Sequence, residues 1–258
     1  MRLPSTRRSA IAAICLIVAA FGVGQAFAAR GGLSITPGIL EHAARPGGIG
    51  AVKIANTTAK PMKIGLAVRP WLQSRSGAVV PNRRRVLGKV APSRGSFGLR
   101  PGATRTVPLS LARLPANGSL YGAIEVTGTP RNRRGEGVRV AYRLVTSLRL
   151  YPPPAARRFG ARAGRLLQNG TTRNGALFLA VKNAGNTIDP IGARVRIAGR
   201  GHTLRVEAAP KTILPGATVN LRLARLSGSL PRGRYAVTVG LTQAGQGIGT
   251  VRRGVRLR

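Results

Sequence analysis

The strongest constraint on this chain is a duplication. "PGATRTVPLSLARLPANGSLYGAIEVTG" begins at Pro101, and "PGATVNLRLARLSGSLPRGRYAVTVGL" begins at Pro215. Both read as a Pro-Gly turn, a strand, a short spacer and a tyrosine-bearing strand. Upstream, "VKIANTTAKPMKIGLAV" from Val52 parallels "LAVKNAGNTIDPIGARV" from Leu179. Each places an asparagine, Asn56 or Asn183, just after an alternating strand. A shared turn alone would mean little. The matched order of strand, Asn turn, Pro-Gly turn and Tyr strand implies two copies of one unit, offset by roughly 115–125 residues. Within each copy, short alternating apolar runs are punctuated by Gly, Pro and Asn about every ten residues, the pattern of an antiparallel sandwich. No stretch after residue 30 carries a helical stripe. The expected fold is all-β: two immunoglobulin-like β-sandwich domains in tandem, over 29–153 and 154–258. Pro152-Pro153-Pro154 with Ala155 to Arg158 is the expected hinge, stiffened by prolines that cannot donate to a ladder.

Residues 1–28 read as a signal peptide. Arg2, Arg7 and Arg8 form a positive start, Ile11 to Val23 an apolar run, and Ala26-Phe27-Ala28 a small-x-small cleavage site. The apolar run is short for a membrane span, so cleavage is preferred over a retained anchor. The expected location is outside the cytoplasm: periplasm, cell wall or extracellular space. Cys15 is the sole cysteine, so the mature chain would have no thiol and no disulfide. No later segment is apolar enough to span a membrane.

Composition narrows the chemistry. Five acids, two histidines and one cysteine leave little for a hydrolytic or metal site, so no enzyme, no metal and no cofactor is expected. Glu41 and His42 are neighbours, and in a strand they point to opposite faces, so they cannot share a metal. His202 in "GRGHTL" and Asp189 before Pro190 read as turn residues. No Gly-x-Ser-x-Gly elbow occurs, and "GQGIG" at Gly245 lacks a strand-to-helix setting. Trp71, the only tryptophan, reads as a packing residue.

The charge is the loudest feature, at +38 with 43 Lys and Arg against 5 acids. Such a balance attracts polyanions. The local clusters are Arg83, Arg84 and Arg85, and then Arg131, Arg133 and Arg134, both in expected loops. Arginine is also scattered along both halves, which fits a compositional bias. Aromatics make up only 4%, so a stacking platform is not expected and nucleic acid is not an expected partner.

The longest alternating run is "VRVAYRLVTSLRLY", Val138 to Tyr151. Val138, Val140, Tyr142, Leu144 and Leu148 lie on one face, and Arg139, Arg143 and Arg149 on the other. About 13 residues is long for a strand. Together with "LSITPGILE" at Leu33, "AVKIANTTAKP" at Ala51, "NGSLYGAIEV" at Asn117 and "SLRLYPPP" at Ser147, it resembles the periplasmic pilus-assembly chaperones over residues 31–155. That resemblance implies a partner held by β-strand addition along Val138–Leu150, with main-chain bonds for affinity and alternate side chains for specificity. It also implies that Arg149 anchors a subunit's terminal carboxylate. The family's second cation lies in the opening strand, where this chain has Pro37 and Gly38. The implied function is a chaperone-like or assembly-related envelope protein that binds a secreted or surface subunit. The alternative is a cell-surface scaffold that docks on anionic cell-wall polymers through the Arg83–Arg85 and Arg131–Arg134 loops.

Overall fold

The computed structural model describes residues 32–131, 140–228 and 230–258. The expected signal peptide therefore lies outside the described residues. Two β-sandwiches follow one another. The first contains β1 (Leu33–Thr36), β2 (Ile39–Ala43), β3 (Gly47–Asn56), β4 (Met62–Gln73), β5 (Val79–Pro81), β6 (Val90–Pro92), β7 (Ser96–Leu99), β8 (Thr104–Leu111), β9 (Leu120–Pro130) and β10 (Tyr142–Tyr151). After a single 3-10 turn at Pro154–Ala156, the second contains β11 (Ala161–Asn169), β12 (Gly175–Asn183), β13 (Ile191–Gly199), β14 (His202–Lys211), β15 (Thr218–Leu226), β16 (Gly233–Gln243) and β17 (Gln246–Leu257). No helix among the described residues is long and apolar enough to cross a membrane.

The duplication is visible strand by strand. In the first sandwich one sheet runs β1-β3-β8-β6 and the other β2-β10-β9-β4-β5, with β7 also on β4. In the second, one sheet runs β11-β12-β15 and the other β14-β13-β16-β17. Thus β3-β8 corresponds to β12-β15, and β10-β9-β4 to β17-β16-β13. Alternation explains the burial. In β12, Leu177, Leu179 and Val181 are buried, as are Val219, Leu221 and Leu223 in β15, and they pack into one core. Ile54, Ile64, Leu109, Ile124, Leu148 and Leu150 do the same in the first sandwich.

The repeated asparagines close each sandwich at the same place. Asn56 is fully buried. Its amide Nδ2 donates to the carbonyls of Lys60 (2.9 Å), Leu99 (3.1 Å) and Arg100 (3.1 Å). Its Oδ1 accepts from the Thr58 N–H and hydroxyl. Asn183 is equally buried and donates to Thr187 O (2.8 Å) and Ile213 O (2.6 Å), while its Oδ1 accepts from the Gly185 N–H. The backbones match too. Asn56 N–H donates to Ala103 O and Gly102 N–H to Asn56 O, just as Asn183 N–H donates to Ala217 O and Gly216 N–H to Asn183 O. Gly102 (φ 69°) and Gly216 (φ 80°) take left-handed conformations at these turns, which explains the glycine in both "PGAT" copies.

Polar groups tie the two sandwiches together. Asn186 is 2% exposed. Its Nδ2 donates to Asn117 O and Ala156 O, both at 2.9 Å, and its Oδ1 accepts from Arg158 N–H at 2.7 Å. Tyr121 of β9 donates its hydroxyl to Asn186 O. On the other flank, Gln73 Nε2 donates to Thr212 O and its Oε1 accepts from Leu214 N–H. One asparagine thus joins the first sandwich, the connection and the second sandwich, which limits what the prolines alone would have to hold rigid.

Candidate functional site

The site grows from a sheet switch. β1 pairs with β3 in one sheet, and β2 pairs with β10 in the other. Pro37 and Gly38 sit at the crossing between them, and Pro37 has no N–H for a ladder. Because β2 joins its sheet only after the crossing, its parallel register covers Ser147 to Tyr151 of β10 and no more. The other side of β10 is paired with β9 along Tyr142–Leu150. Above Ser147, no described strand pairs with the outer edge of β10.

Strand alternation says which groups face that edge. Ser147 N–H donates to Gly38 O on the β2 side (3.0 Å). Residues two and four earlier, Val145 and Arg143, direct their N–H and C=O to the same side. Side chains of the even positions face the core. Leu150, Leu148 and Thr146 are buried, and Tyr142 and Leu144 are partly buried against the core's upper end. Val140, two residues before Tyr142, is 51% exposed. The row therefore climbs from core to solvent along an edge that no described strand covers.

The expected residues divide accordingly. Tyr142 and Leu144 lie on the open half. Val140 is exposed and precedes the strand, which begins at Tyr142 and is shorter than the expected Val138–Leu150 run. Val138, Arg133 and Arg134 lie outside the described residues. Leu148 is a core residue on the stretch that β2 already pairs, so it does not belong to the open edge. Arg149 extends from the outer face and pairs with Glu41 at 2.9 Å, and Tyr151 donates its hydroxyl to the same carboxylate oxygen at 3.3 Å. Glu41 is opposite Arg149 in the parallel register, so the guanidinium expected to anchor a foreign carboxylate already has one. Arg83, Arg84, Arg85 and Arg131 have exposed side chains. Trp71 is half-buried and sits opposite Pro81 in the register of the β4–β5 hairpin.

Two features lie outside the residues expected for the site. The first is Glu125 of β9, 2% exposed and ion-paired with both Arg69 and Arg143. Arg69 also donates to the carbonyls of Arg83 and Arg85, at 2.8 and 3.3 Å. One buried acid thus fixes a guanidinium from the open half of β10 and, through Arg69, the arginine loop. Burial pushes the Glu125 carboxyl up, but hydrogen bonds and charges from Arg69 and Arg143 outweigh it and hold it below its usual range. A depressed carboxyl pKa stabilises the fold above the unfolded value and loses that contribution as pH falls through the folded one. Glu125→Gln is expected to cost about 1–3 kcal/mol at neutral pH. Urea melts of the two proteins should converge below the ordinary glutamate pKa of about 4.3. The second feature is the ring pair of Tyr121 and Tyr151, edge to face at 5.8 Å. Burial, then the neighbouring ring, pushes the Tyr121 phenol up, so it stays a neutral donor to Asn186.

No family model and no curated protein matches the sequence. Solved structures do match it in fold. A chain from the chaperone–tip adhesin complex of CFA/I fimbriae biogenesis aligns over 86% of this chain and 98% of its own, at 13% identity and a TM-score of 0.48. The class 5 fimbriae chaperone CfaA aligns over 86% and 98%, at 13% identity and 0.46. A chain of the Salmonella enterica SafA pilin–SafB chaperone complex aligns over 88% and 96%, at 11% identity and 0.45. The chain is similar to these fimbrial chaperone chains, while its own strand order and two separate cores give two immunoglobulin-like β-sandwiches in tandem.

Proposed function

We propose that this protein holds an extended segment of a secreted or surface protein subunit by β-strand addition to the upper half of β10. In this reading residues 1–28 are a removed export signal, 29–153 form the holding domain and 154–258 the second sandwich. The role is non-catalytic and chaperone-like. The observation that carries it is the half-covered strand. β2 satisfies the edge of β10 from Ser147 onward and leaves the Arg143 and Val145 backbone groups pointing outward beside a partly buried apolar row. A long unpaired edge is a liability that soluble proteins normally cover. An added strand would continue the sheet and lay its own apolar side chains beside Tyr142 and Leu144.

Capture from an envelope fraction by the mature chain tests this. Main-chain ladders and apolar contacts survive salt, whereas surface attraction between charges weakens as the screening length falls from about 10 Å at 0.1 M to about 3 Å at 1 M. A discrete protein retained through the 1 M wash is expected. Complete elution with salt would sink the strand-addition reading and return the function to the exposed arginines.

A further inference from the structure

Among the described residues, the second sandwich lacks a strand that the first one has. On β8 the outer edge is covered by β6, Val90 to Pro92 against Leu111 to Leu109. The corresponding edge on β15 has no strand partner among the described residues. Only its start is used: Asn220 N–H donates to Arg75 O of the first sandwich's β4–β5 turn (2.8 Å). Two residues on, the Arg222 backbone faces the same side.

A groove of about 990 Å³ opens along this edge and wraps onto the outer face of the β11-β12-β15 sheet, lined by Arg75, Leu167, Phe178, Lys211, Asn220 and Arg222 among others. Its floor is apolar. Leu167 is opposite Phe178, and Phe178 opposite Arg222, on neighbouring strands. Leu167 is 41% exposed, high for a leucine in a sheet. Its lining is mostly cationic, with Arg75, Lys211, Arg222 and Arg225 against one acid, Glu207. Strands β11, β12 and β15 contain Arg162, Arg165, Lys182, Arg222 and Arg225 and not one acid. Glu207 at the far rim already faces Arg194 at 3.2 Å.

We infer that the edge of β15 and its adjoining groove form a second docking surface for an extended acidic segment of a partner protein, one that alternates carboxylates with apolar side chains. The open N–H and C=O groups call for a strand, the floor for apolar side chains, and the cations for carboxylates. The chain's own residues 132–139 have the wrong charge to fill it, with three arginines and one glutamate. This surface is independent of the β10 edge.

The test is anisotropy of a fluorescein-labelled alternating Val-Glu peptide with the full mature chain. Wild-type protein is expected to bind it. The double variant Arg222→Glu/Arg225→Glu, and separately Arg222→Ser/Arg225→Ser should the first fail to fold, are expected to weaken binding at least tenfold. Phe178→Ala should weaken it severalfold. Arg84→Glu/Arg85→Glu, the same charge change elsewhere, should leave it unchanged, as should Val145→Pro in β10. Equal weakening by the two charge reversals would overturn the proposal. So would polyglutamate or polyphosphate binding as tightly as the Val-Glu peptide, since the face would then be a general polyanion surface.

Discussion

Asn183→Ala is expected to unfold the second sandwich well before wild type melts. The substitution removes two donors and one acceptor from a fully buried position. It leaves the Thr187 and Ile213 carbonyls and the Gly185 N–H without that partner. At about 1–3 kcal/mol for each buried group left unsatisfied, the loss is about 3–5 kcal/mol after partial relaxation. A domain of this size holds about 5–15 kcal/mol in total, so the melting temperature should fall by roughly 15–25 °C. Asn56→Ala should do the same to the first sandwich, because Asn56 serves three carbonyls and accepts from Thr58. Scanning calorimetry checks both. Loss of only a few degrees would mean that the Pro-Gly turns close the sandwiches without their asparagines.

Val145→Pro is expected to abolish partner capture while leaving the fold intact. Proline removes the residue's N–H and fixes φ near −65°. In most strands that breaks a ladder, but the Val145 N–H points away from β9, on the side that β2 leaves uncovered. Prolines are tolerated on such edges. An incoming strand would lose a hydrogen bond in mid-register and meet the pyrrolidine ring. We expect at least a hundredfold loss of retention in the salt-washed capture, with the melting temperature within a few degrees of wild type. The combination matters, since a binder that used only the arginines would not notice an uncharged change at Val145.

The duplicated fold was legible because alternation and turn chemistry are local. The Asn and Pro-Gly signals sit within a few residues of the strands they close, and both asparagines occupy the same hydrogen-bonded place. The apolar face of β10 was legible for the same reason. What could not be read was which part of that face has a free edge. Leu148 and Leu144 are equivalent in period, but β2, over a hundred residues earlier in the chain, covers one and not the other. Arg149 was readable as a cation in the right strand, while its pairing with Glu41 depends on the parallel register. Glu125 did leave a trace. In a chain with only five acids, a glutamate inside the apolar run "AIEV" implies a buried partner, and Arg69 and Arg143 supply two. Asn186 left less, being a second asparagine three residues after the first, and only the folded chain brings Asn117 and Ala156 to it.

The most direct test of strand addition is amide hydrogen exchange of the mature chain, alone and with its captured subunit. The account predicts that the Arg143 and Val145 amides, which face the uncovered edge, exchange fast in the free protein and become protected in the complex. Leu144 and Thr146, whose amides face β9, should change little. Protection that appears elsewhere while Arg143 and Val145 continue to exchange freely would contradict it.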